Sequence, residues 1–258
     1  MRVFRVVKRT LIAMVLLVLL GAAALYLLAN RKPSEYRPLQ LTTQQKDQAV
    51  KDFYAELQDF YNRGQMNQPF VWSVTQEQVN SYLASLDEIA AVRPGARPGS
   101  VQEAMQKAGI CDPAVVFANG AITFMVFSRQ YHKVFSSDLA LSFTPDERLH
   151  VRLAGARVGS MPVPGSVVRD KIEGLKGEFS AQPKGGHSSG PSSYAGGELS
   201  ADDVAAAISQ IVAAIDDKPI APDLKVNKSR IKVTGIEIKD GKLTLWVIPA
   251  KRREPDRN

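Results

Sequence analysis

The sequence predicts an α+β protein: an N-terminal transmembrane helix, then an antiparallel β-sheet packed with amphipathic helices. Three observations predict it. Thr10–Ala29 (TLIAMVLLVLLGAAALYLLA) carries no charge over 20 residues. Further on, apolar residues alternate in short runs joined by Asn-Gly and Asp-Gly, the pattern of antiparallel hairpins. Elsewhere they recur every three or four residues, as in helices buried along one side.

The apolar stretch is long enough to cross a bilayer core of about 30 Å at about 1.5 Å per residue. Eleven of its 20 residues are Leu, Ile or Val. Together they favour insertion by roughly 3 to 7 kcal/mol. Arg2, Arg5, Lys8 and Arg9 precede the stretch, and Arg31, Lys32 and Arg37 follow it. The tighter cluster places residues 1–9 in the cytoplasm and the bulk of the chain outside, as a single-pass protein of the cell membrane. A cleaved secretory signal is the alternative, with Ala22–Ala24 as its cleavage region, but an h-region spans about 7 to 15 residues and this one is longer.

The net charge of +7 resembles a nucleic-acid signal, but its location argues otherwise. Residues 1–9 hold +4 and the basic tail 251–258 (KRREPDRN) holds +2, leaving +1 for everything between. No nucleic-acid partner is expected. The bilayer is the expected partner, and the tail can touch anionic headgroups. Cys111 is the only cysteine, so no internal disulfide forms. It reads as a half-buried thiol rather than a nucleophile.

Residues 30–41 are a polar stalk, extended by its prolines. The extracytoplasmic domain is expected at 42–250. Thr42 or Thr43 caps a helix bearing Val50, Phe53, Leu57 and Phe60, with Tyr54 and Tyr61 beside them, and Gly64 stops it. Phe70–Val74 is a strand. Thr75-Gln-Glu-Gln78 has the form of a capping box and opens a helix with Val79, Leu83 and Leu86. Asp87–Ser100 reads as a loop, and Val101–Ala108 as a short helix. Ala114–Ala118 and Ala121–Phe127 flank Asn119-Gly120 as a hairpin whose second strand is apolar on both faces. His132–Phe143 and Leu149–Leu153 alternate around the turn Thr144–Arg148. Gly155 and Gly159 mark a bulge or a close backbone approach. Ser166–Phe179 reads as a helix, residues 180–198 as a disordered Gly/Ser linker, and Ser200–Ile215 as an Ala-rich helix. Turns at Pro219 and Pro222 lead to the hairpin Ile231–Ile238, Asp240-Gly241, Leu243–Val247. It is too small to stand alone and is expected to complete the sheet begun before the linker.

No pattern carries catalysis. Gly186-His-Ser-Ser-Gly190 matches G-x-S-x-G but lacks the strand-turn-helix that would thrust Ser188 out. His132, His150 and His187 share no ligand spacing, so no metal or other cofactor is expected. Asp202–Asp203 suit a helix N-terminus, Asp216–Asp217 an exit turn, and Phe127–Tyr131 (FSRQY) is too isolated for nucleic acid. The chain is not expected to be an enzyme.

The order of elements carries a resemblance. A membrane helix and a stalk helix precede F-x-W-x-V-T-x-E-Q-x-N-x-Y-L (Phe70–Leu83). The Asn119-Gly120 hairpin follows, then L-A-L-S-F-T-P…L-H-V-R-L…V-G-S-M-P-V-P (Leu139–Pro164) and a closing strand that ends at Pro249. This resembles the YpmS-like family of bacterial membrane-anchored extracytoplasmic proteins. Asn80, Gly159, Met161 and Pro164 match its motif positions. The resemblance implies a TULIP-like architecture, in which a curled antiparallel sheet wraps a helix around an apolar groove. It carries no activity. The Gly/Ser linker and the Ser200–Ile215 helix depart from the family pattern.

The leading functional expectation is a binding module that holds lipid or another apolar group beside the membrane. Its candidate lining is Trp72, Phe124, Val126, Leu139, Leu141, Phe143, Leu153 and Val158. The bland counterpart is that these residues fill an ordinary core. The alternative function is a structural or assembly factor of the cell envelope, acting on envelope proteins by contact.

Overall fold

The structure, a computed structural model, describes residues 14, 16–17, 19–21, 23–66, 68–92, 99–107, 109–167, 219–220, 222–226 and 229–249. The expected helix past residue 167, the 180–198 linker, the Ser200–Ile215 helix and the 251–258 tail lie outside them. So do His187, Ser188 and the two Asp pairs. The described part of 14–30 is helical, and its Leu16, Leu17, Leu19, Leu20 and Leu25 are exposed. Among the described residues no helix is long and apolar enough to cross a membrane, and the expected span Thr10–Ala29 lies partly outside them.

The body begins with α1 (Thr43–Gln65), β1 (Phe70–Thr75), α2 (Gln76–Ala84), α3 (Leu86–Ala91) and α4 (Ser100–Lys107). Strands β2 (Ile110–Ala118), β3 (Ala121–Ser128), β4 (Lys133–Phe143), β5 (Leu149–Val158) and β6 (Met161–Pro162) then form a five-stranded antiparallel meander. Strands β7 (Asp223–Val226), β8 (Ser229–Lys239) and β9 (Lys242–Pro249) join β1 in a second antiparallel sheet, ordered β1-β9-β8-β7. Neither sheet closes on itself.

Local chemistry sets these boundaries. Thr42 caps α1 and Thr75 caps α2, each in a reciprocal box with the Gln three residues on. Thr75 Oγ1 accepts from the Gln78 N–H at 3.1 Å, and Gln78 Oε1 accepts from the Thr75 N–H at 2.8 Å. Asn119-Gly120 and Asp240-Gly241 turn with φ of 52°, 72°, 51° and 70°, the left-handed pair that a type I′ hairpin requires. Gly64 does not stop α1. The helix runs on to Gln65 and buries that glycine.

Two expectations change. The start of the Asp87–Ser100 loop is helical, as part of α3. Asp87 and Glu88 sit in its first turn, where the helix dipole favours acids. Ile89 is buried, and its carbonyl accepts from the Tyr54 hydroxyl at 2.9 Å. The C-terminal hairpin does pair with a strand before the linker, but in a sheet separate from the meander. The physical reason is at the meander's first edge, where α2 already occupies the hydrogen-bonding groups of β2. Asn80 Nδ2 donates to the Val115 carbonyl at 2.9 Å, the Val115 N–H donates to Asn80 Oδ1 at 2.7 Å, and the Phe117 N–H donates to Gln76 Oε1 at 2.9 Å. Among the described residues no further strand adds there.

The two sheets meet through Val74 and Ile238 on one side and Val115 and Phe117 on the other, with Trp72, Tyr82, Leu83 and Leu141 packed around them. The aromatic stripe of α1 covers the rest of the second sheet. Phe60 stands edge-on to Phe70 and to Trp72, over Ile231 and Val247. The stalk is a strap rather than a free tether. Tyr36 packs on Ala114, Met125 and Val134, and its hydroxyl donates to the Asp112 carbonyl at 2.8 Å. Burial pushes that phenol well above the usual tyrosine range.

Candidate ligand-binding face

Strand parity and register sort the meander into two faces. Val115, Phe117, Ile122, Phe124, Val126, Phe135, Leu139, Leu141, Phe143, Leu153 and Val158 share one face. The opposite face holds Ala114, Val116, Met125, Phe127 and Val134 under Tyr36. Seven of the eight candidate lining residues therefore share one face. The eighth, Trp72, belongs to the second sheet and packs in the core between the sheets.

This face has two ends with different surroundings. Toward the Asn119-Gly120 turn, Leu139 is buried and Leu141 packs against the inter-sheet core. These side chains fill a core, as does Trp72. Phe143 is half-buried at the end of β4. Toward the β3–β4 turn the face opens. Val126, Phe135 and Val158 lie directly opposite one another across three strands, and all are half-buried. Beside them Phe124 is 43% exposed, whereas Leu153, half-buried, pairs with Leu139 and so lies toward the other end. Tyr131, 58% exposed, stands edge-on to Phe135 with ring centroids 6.0 Å apart. Phe135 and Tyr131 were missed from the sequence, although Phe135 has the parity of Leu139, Leu141 and Phe143.

The open end is also the end that meets the N-terminal helix. Lys133, which opens β4, donates to Asn30 Oδ1 at 2.7 Å and lies 5.8 Å from the Tyr26 ring centroid. Ser160, after β5, donates its N–H to the Leu28 carbonyl at 2.9 Å. Gly159 makes this approach possible. Its φ is +59°, and a Cβ there would run into the Ala29 carbonyl and lie 2.8 Å from the Arg31 carbonyl oxygen. Of the other motif positions, Asn80 closes the β2 edge, Met161 pairs with Val158 in β6, and Pro164 accepts from the Val167 N–H at 3.1 Å.

Gly155 has a related role on the opposite face. Its missing side chain leaves room for Asp138, whose Oδ2 would sit 2.9 Å from a Cβ. Asp138 accepts from Thr123 Oγ1 at 2.7 Å and from Arg157 Nη2 at 3.1 Å. Two open concavities flank the strap. One, of about 180 Å³, lies at the helix junction, and the other, of about 340 Å³, lies between the strap, α2–α3 and α4, with Leu39, Leu83, Met105 and Cys111 in its wall. Neither is lined by any of the eight candidates. Among the described residues no three His, Cys, Asp or Glu side chains group as metal ligands. His132 sits in the β3–β4 turn and His150 in β5, apart from each other.

No family model, curated protein or solved structure matches this chain.

Proposed function

We propose that this chain is a single-pass membrane protein whose extracytoplasmic body seats lipid, or another apolar group, on the open end of the meander face. One observation carries the reading. Phe124, Val126, Phe135 and Val158 form an apolar row at the end of the sheet that abuts Asn30 and Leu28. Phe124 is 43% exposed and the other three are half-buried, and a partly exposed apolar row of this kind is a surface that a ligand can cover. A bilayer around the exposed leucines of residues 14–30 would hold that row at the lipid surface. The seat is an open face, because the space between the two sheets is filled by Val74, Val115, Phe117 and Ile238. The YpmS-like and TULIP-like assignments belong to the same proposal, with the open sheet face in the place of the groove. No catalytic role is assigned.

The test is photo-crosslinking of the full chain in membranes with a diazirine fatty acid, followed by mass spectrometry of the labelled peptides. Label is expected on β3–β5, and Phe124→Asp is expected to abolish it while the protein still folds. Equal labelling of Phe124→Asp and wild type would refute the seat.

The alternative, an envelope assembly factor, is supported by a different surface. Val71 and Trp246 are direct cross-strand partners on the outer face of the second sheet, at 49% and 39% exposure, beside Ile248. Loss of a co-purifying envelope protein in Trp246→Asp, with fatty-acid labelling intact, would favour it.

A further inference from the structure

We infer that the junction between the N-terminal helix and the body is a second site, one that binds a phosphate-bearing group of the kind carried by an anionic lipid headgroup. The inference rests on the membrane-anchored reading for its location, though not for its chemistry.

The concavity of about 180 Å³ has residues 31–35 as one wall, with Arg157 and Ser160 as the other. Its lining includes three basic residues, Arg31, Lys32 and Arg157, and one acidic residue, Glu35, with the Lys32 ammonium 5.4 Å from the Phe127 ring centroid. The walls are fixed to each other by the Ser160 N–H to Leu28 bond at 2.9 Å and by Ser160 Oγ, which donates to the Arg31 carbonyl at 3.3 Å. Arg157 is held from behind. Asp138 takes its Nη2, and its Nε is buried with no hydrogen-bond partner among the described residues. The Arg157 side chain is 32% exposed, so an anion in this site would give the guanidinium a second acceptor.

Position supports the same chemistry. Arg31 is the second residue after the uncharged run Thr10–Ala29, so a spanning helix would set this site at headgroup depth. The site is distinct from the apolar row, because Arg157 belongs to the opposite face of the meander. Its occupancy would fix how the body stands on the bilayer.

The test uses the full chain in lipid-free detergent and follows thermal unfolding. The titrants are short-chain phosphatidylglycerol, short-chain phosphatidylcholine and inorganic phosphate. Phosphatidylglycerol is expected to raise the midpoint saturably, and phosphatidylcholine is not. Arg31→Ala/Lys32→Ala removes two exposed cations and should weaken the response about 30-fold. Arg31→Lys/Lys32→Arg should restore it. An inorganic phosphate response as strong as that to phosphatidylglycerol supports the site and assigns it to free phosphate. No response to either anion, or an unchanged response in the Ala pair, overturns it. Phe124→Asp should leave the response intact, so failure of the apolar seat would be seen separately. A cytosolic C-terminal reporter would refute the membrane reading while leaving the detergent titration readable.

Discussion

Asn80→Ala tests how this fold ends its larger sheet. Asn80 is 8% exposed and Val115 is 1% exposed, so water does not replace what the amide supplies. The side chain offers Val115 one acceptor at 2.7 Å and one donor at 2.9 Å, as a neighbouring strand would. Truncation removes both bonds and leaves a buried N–H and a buried C=O unpaired, at about 1–3 kcal/mol for each orphaned group. A loss of about 2–6 kcal/mol follows, a large share of the ~5–15 kcal/mol that stabilises a typical domain. The assay is urea unfolding of the full chain in detergent, read by fluorescence of Trp72 and Trp246, both in the second sheet. Asn80→Asp sharpens the test. Its carboxylate still accepts from the Val115 N–H but opposes the Val115 carbonyl. That variant should be at least as unstable as Asn80→Ala at neutral pH and should recover in acid, where the protonated oxygen donates. A cost under about 1 kcal/mol for Asn80→Ala, within the range of one ordinary hydrogen bond, would refute the edge-closing role.

Two further predictions concern the helix junction and the α1–α2 contact. Gly159→Ala places a side chain at φ +59° against the Ala29 and Arg31 carbonyls. It should cost about 1–3 kcal/mol and release the Ser160 amide, so amide exchange at Ser160 should accelerate, and unchanged protection would refute the close approach. Burial, then the nearby Asp52, raises the Glu56 carboxyl above its usual range, while Gln78 Nε2 donates to it. The Tyr82 hydroxyl, pushed up to about 12 chiefly by burial, lies beside Glu56, yet neither it nor Glu56 Oε2 completes a hydrogen bond of good geometry. A carboxyl raised in the folded state binds its proton more tightly there than in the unfolded chain. Its contribution is therefore complete below the ordinary carboxylate value near 4.5 and is lost as pH rises through the folded value. Glu56→Gln should flatten that fall and be no less stable than wild type at neutral pH. Parallel pH profiles for the two proteins would count against it.

Much of the element order was determined by the sequence alone, because local chemistry determines it. Thr75 and Gln78 cap each other across three residues, and Asn119-Gly120 and Asp240-Gly241 adopt left-handed φ without outside help. The alternation of Leu139, Leu141 and Phe143 puts them on one face whatever lies above it. A loop signal failed at Asp87–Ala91, where the proline and glycine residues belong to the chain beyond the helix and Ile89 packs inward. What covers each part of a face is not local. Leu139 and Phe124 have the same parity on neighbouring strands, yet one fills a core and the other meets solvent. The second sheet reaches only one end of the meander, and no alternation records that. The separation of the two sheets was equally hidden, since it depends on an asparagine in a helix closing the edge of a strand 35 residues away. The basic junction was also hidden, because Arg31 and Arg157 become neighbours only when a glycine lets the strand turn press against the end of the helix.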